Sequence, residues 1–159
     1  MVSASLDLLE ESLKKKIDIM KFIELENEKQ EDLLKNFDEV DDAEFDAILD
    51  TKGDYIEQLI TLEDGFQSLF DKVKEEVGSH KDQYTEQIKR MQDMIQEITR
   101  LSASTEAIER RNKKLAEKYF SHVRQKMNYS KQTSAAAFNY YQTMNNFKNI
   151  PPQFIDDKN

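Results

Sequence analysis

The chain has no cysteine, no tryptophan, two prolines and three glycines in 159 residues. The prolines are adjacent, Pro151 and Pro152, so the first 150 residues carry none. Without cysteine there is no disulfide framework, which fits a reducing cytoplasmic setting. Gly53, Gly65 and Gly78 are isolated from one another, so no glycine-rich phosphate loop can form. No stretch approaches the ~20 apolar residues of a membrane span, and Met1–Lys16 lacks the apolar centre of a secretory signal. What remains is a chain that is 35% charged and almost without helix breakers, the composition of long α-helices.

Site chemistry is equally sparse. His80 and His122 lie far apart, and neither has an acidic residue three positions away, as a di-metal helical bundle needs. The acidic run Asp38-Glu39-Val40-Asp41-Asp42 lacks the glycine and the terminal glutamate of a calcium loop. Uninterrupted helices seldom hold a nucleophile beside an oxyanion hole. The reading is therefore not an enzyme, with no cofactor and no metal.

Charge is divided unevenly. Residues 1–78 carry 23 acidic and 9 basic side chains, whereas residues 79–159 carry 9 and 14. An acidic front half folding against a basic back half accounts for this. A nucleic-acid surface does not, since the excess of positive charge is modest and lies beside an acidic partner.

Apolar residues at spacings of three and four predict three helices. The first spans about 5–37, with Leu6, Leu9, Leu13, Ile17, Met20, Ile23, Leu34 and Phe37 as its stripe and Ser5 as N-cap. Asn27 and Gln30 interrupt that stripe, as polar residues that set register often do. The second spans 43–77, capped by Asp41 or Asp42 and stopped by Gly78. Gly53 and Gly65 inside it permit close packing or a slight bend. The third spans 80–130, from Tyr84 through Met127, some 75 Å if unbroken and long enough to overhang the first two. The prediction is an all-α fold, a long antiparallel hairpin plus a third long helix in one elongated bundle over residues 1–130.

Residues 131–159 differ in character. From Tyr119 onward the chain holds 8 of its 15 aromatics. Phe138, Tyr141, Met144 and Phe147 recur every three residues and form one flank of a short amphipathic segment. Two readings are open: the segment folds back onto the bundle, or it holds an apolar surface for a partner helix. Few lysines or arginines follow Lys131, which argues against a membrane-surface helix.

Several patches resemble flagellar export chaperones of the FlgN type. They are Leu9-Glu10-x-Ser12-Leu13, Gln30-x-x-Leu33-Leu34, the positions Lys52, Ile56, Leu59 and Leu62, the run Ile108-Glu109-Arg110-Arg111-Asn112, and the ending Phe154-Ile155-Asp156-Asp157-Lys158. The resemblance implies a cytoplasmic chaperone, monomer or homodimer, that binds the C-terminal helices of hook–filament junction proteins and delivers them to the export apparatus. The family's use of its C-terminal helical region implies a partner-binding face of Tyr119, Val123, Met127, Phe138, Tyr141, Met144 and Phe147. The rival reading is a structural coiled coil that self-associates along the third helix and acts as a tether.

Overall fold

A computed structural model describes residues 3–126 and 131–148, with side chains described over 3–125 and 137–145. The described chain is all-α, with no strand. Its four helices are α1 (Ala4–Leu33), α2 (Asp42–Val77), α3 (Thr85–Lys126) and α4 (Lys131–Lys148). Short 3-10 turns, Phe37–Glu39 and Lys81–Tyr84, lie in the first two connections. The C-terminal segment thus contributes an 18-residue helix of its own, which packs on α2. Residues 149–159, including Pro151, Pro152 and the Phe154–Lys158 ending, lie outside the described residues.

Local chemistry sets the helix ends. The N-cap of α1 is Ser3, whose hydroxyl accepts the Leu6 N–H at 3.1 Å. Ser5, the residue expected in that role, sits inside the first turn and turns both its N–H and its hydroxyl to Glu76 of α2. That carboxylate lies where the positive end of the α1 dipole favours it. α1 stops at Leu33 rather than 37, because the Asn36 side chain accepts the Asp38 N–H at 3.1 Å and turns the chain away from the helix. Asp41 caps α2 by accepting the Ala43 N–H at 2.9 Å. Gly78 ends α2 at φ 50°, in the left-handed region that favours glycine. Around Gly53 and Gly65 an added methyl would meet open space, so packing requires glycine at neither position.

α1 is the central element, packed on both α2 and α3, while α4 docks on the free flank of α2. Leu13, Ile23, Phe45, Ile56, Leu59, Phe66, Ile98 and Leu101 form the dry centre of one continuous core. At one end Phe37, Phe45, Tyr119 and Phe120 pack ring on ring with centroids 5.7–5.9 Å apart. The sequence predicts an overhang of α3. Its residues Tyr119 and His122 lie against the α1–α2 connection, with His122 Nε2 2.8 Å from Asp38 Oδ1, and residues 127–130, the far end of the expected overhang, lie outside the described residues.

The opposite end is clasped by carboxylates. Arg90 donates to both oxygens of Glu10, at 2.9 and 3.3 Å, and Gln87 adds a third bond at 3.0 Å. The Arg90 bond holds the Glu10 carboxyl below its ordinary 4.5, against the opposing effect of burial. Hydrogen bonds from Ser5 and Ser3 do the same for Glu76. A carboxyl depressed in the folded state contributes stability that is present above the unfolded value, near 4.5, and is lost as pH falls through the folded one. Melting curves across this range should show Glu10→Gln flattening the acid limb. Parallel acid limbs in variant and parent would assign the effect elsewhere.

Candidate functional site

α4 presents a face of Ala137, Tyr140, Tyr141 and Met144 to the other helices. This spacing of three, one and three places the four on adjoining helix rows. Phe138 points the other way and is 67% exposed. Of the predicted face, the described residues Tyr119, Val123, Phe138, Tyr141 and Met144 thus differ in exposure. Tyr119 is buried among Phe37, Phe45 and Phe120, with its hydroxyl on the Asp42 carboxylate. Burial, then that hydrogen bond, raises its phenol above the ordinary range. Val123 is half-buried, Tyr141 half-buried and Met144 buried. Met127 and the Phe147 side chain lie outside the described residues.

Beneath α4 is a polar node to which every helix contributes. Lys52 of α2 is 0% exposed. Its ammonium donates to Gln30 Oε1 of α1 at 2.6 Å and lies 2.7 Å from Glu109 Oε1 of α3. The ring of Tyr140, on α4, covers the same ammonium at 4.3 Å. Gln30 completes the circuit by donating to the Tyr141 hydroxyl at 3.2 Å. Glu109 is 2% exposed. A charge so far from water is costly unless paired, and here the pairing, the amide and the aromatic face all address one cation. Burial pulls the Lys52 ammonium below its ordinary range, opposed by the neighbouring Glu109. Burial first, and the same carboxylate second, push the Tyr140 phenol well up.

The node extends along the α1–α3 seam, where buried Asn112 donates to the Asn27 carbonyl at 3.2 Å. A second buried pair, Lys16 with Glu63, sits one half-bundle away, the Lys16 ammonium 5.5 Å from the Phe66 ring centroid. Burial lowers Lys16 to about 8. Beside the end of α3 that Tyr119 occupies, an open surface pocket of about 500 Å³ is lined by Phe37, Lys114, Lys118, His122 and neighbouring residues.

Lys52 and Glu109 carry part of the resemblance described above, but nothing in that resemblance gives them a buried role. Spacing could have found them. The buried positions of α2 include Phe45, Leu49, Lys52, Ile56 and Leu59, and those of α3 include Leu101, Thr105, Glu109, Asn112 and Ala116, so both charged residues stand on the core register of their helices. Among the described residues no cluster of three or more metal-ligating side chains forms, and no helix is long and apolar enough to cross a membrane. Compared with protein-family models, curated proteins and solved structures, the chain matches none.

Proposed function

We propose that the chain is a cytoplasmic flagellar export chaperone, and that α4 occupies the site its client takes. The observation that carries this reading is the seating of α4. It is an amphipathic helix of 18 residues held against the bundle by a short apolar face, an amide–phenol bond and the Lys52 ammonium against the Tyr140 ring. A slot of that form accepts another amphipathic helix with apolar residues at the same spacing. The C-terminal helix of a hook–filament junction protein has that chemistry, and burying its apolar face here keeps it from pairing early within a filament. The residues that carry the resemblance add support, since Gln30, Lys52 and Glu109 meet at one node under α4, with Asn112 on the adjoining α1–α3 seam.

Exchange of one helix for another needs no nucleotide. Client binding must displace α4, so net affinity is moderate and release to the export apparatus is easy. The tether reading is weaker. The seam of α3 that it needs is already used within the chain, where Met91, Ile98, Leu101, Ala116 and Tyr119 are buried.

The test is titration of fluorescent peptides from the C-terminal helices of hook–filament junction proteins, with hydrogen exchange read in parallel. Binding with loss of protection over 137–145 is expected. No binding by any such peptide rejects the chaperone assignment. Binding with α4 still protected rejects the exchange route.

A further inference from the structure

The outward side of α1 carries a second pattern. Leu8, Glu11, Lys15, Asp18, Phe22, Leu25, Lys29 and Asp32 follow one another at alternating spacings of three and four, and all eight are exposed. Phe22 is 47% and Leu25 53% exposed. Phe22 is nonetheless held in place, stacked on Tyr55 of α2 with ring centroids 5.6 Å apart and planes at 23°. An exposed aromatic already fixed by a neighbour loses little freedom on being covered.

The charges around this apolar centre say what covers it. The stripe consists of two rows with a seven-residue repeat. One row reads Leu8, Lys15, Phe22, Lys29 and the other Glu11, Asp18, Leu25, Asp32. Every charge in the first row is positive and every charge in the second is negative. Two copies of α1 packed in parallel set each row against itself, lysine on lysine and aspartate on aspartate. Packed antiparallel, each row meets the other.

We propose that this chain forms a twofold-symmetric homodimer through the outer stripe of α1, the two helices antiparallel with Phe22 of each copy against Leu25 of the other. In that register Lys15 of one copy faces Asp32 of the second, and Asp18 faces Lys29. The twofold repeats each pair on the other side of the apolar centre. Lys29 and Asp32 make intrachain contacts with Glu26 and Lys35, at 2.8 and 2.9 Å. The Asp32–Lys35 pair is exposed at both ends, worth little in water, and yields to the new partner, while Lys29 keeps its bond to the buried Glu26 and adds Asp18 of the second copy. The proposal uses no residue of α4 or of its slot and stands independently of the chaperone reading.

The absence of cysteine makes the register directly testable. In Asp18→Cys/Lys29→Cys the two thiols of one chain are separated by eleven residues of helix, about 16 Å, too far for a bond within the chain. The antiparallel dimer instead sets each thiol opposite the other kind in the second copy. Mild oxidation of the full-length double variant should give a covalent dimer in good yield, with peptide mapping placing the link between positions 18 and 29. Each single variant should stay largely uncrosslinked.

Sedimentation of the parent should show a reversible monomer–dimer equilibrium. Lys15→Asp and Asp32→Lys should each weaken it about tenfold, and the two together should restore it. All these positions are exposed, so circular dichroism should match the parent throughout. A parent that remains monomeric at millimolar concentration overturns the proposal. So does crosslinking of the single variants as efficient as that of the double one, or a charge swap that fails to restore association.

Discussion

Glu109→Ala should lower the unfolding free energy by about 3–5 kcal/mol and the melting temperature by on the order of 10 °C. The substitution removes the only carboxylate that the described geometry places within 3 Å of the Lys52 ammonium. Lys52 then remains fully buried with one amide oxygen and one aromatic ring to stabilise its charge. It must either stay charged without a counter-ion or release its proton, and both raise the free energy of the folded state. Removing the lysine along with the carboxylate avoids that cost. The double variant Lys52→Met/Glu109→Leu should recover most of the loss, leaving Gln30 Oε1 as the group without its former donor. Urea denaturation of parent, single and double variants gives the coupling directly. A loss below about 1 kcal/mol in Glu109→Ala would show that the ammonium is hydrated at little cost and that the node is not sealed.

This node also marks where sequence reasoning reached its limit. The helices themselves are plain from the chain: apolar spacing, Asp41 at a helix start and Gly78 at a helix end correspond to observed features. The seam register was less visible, because a reading that looks for apolar residues steps over charged ones. Its α1 stripe includes Ile17, which is half-buried, beside the buried Lys16. The buried lysines Lys16 and Lys52 stand on core positions and pair with the buried glutamates Glu63 and Glu109. Opposite charges at matching levels of antiparallel or neighbouring helices were present in the sequence, but their levels follow from the three-dimensional pairing of the helices. The face of α4 that docks was no plainer in the sequence. Tyr141 and Met144 lie on the face that docks, which Ala137 and Tyr140 complete, whereas Phe138 is exposed. Lys52 and Gln30 decide that rotation, since their bonds to Tyr140 and Tyr141 come from other helices.

Met144→Asp should detach α4 while leaving α1, α2 and α3 folded. Met144 is buried on the docked face of α4, and the cation beneath that face, Lys52, is already paired with Glu109. Burying it charged costs several kcal/mol, far more than any surface substitution. The chain avoids that cost at the weakest boundary. α1 packs on α2 and on α3, and their shared core includes Leu13, Ile23, Ile56, Leu59, Ile98 and Leu101, none of which belongs to α4. Lifting α4 therefore opens one helix and leaves the other three joined. Three readouts follow. Amide protection over 137–145 should fall to that of an open helix while the cores of α1 and α3 stay protected. Lys52, no longer covered by Tyr140, should titrate closer to an ordinary lysine, as burial is the main cause of its depression. Client peptides, relieved of competition with α4, should bind at least about tenfold more tightly. If protection is lost throughout the chain at once, α4 is an inseparable part of the core, and a client helix cannot reach the slot by replacing it.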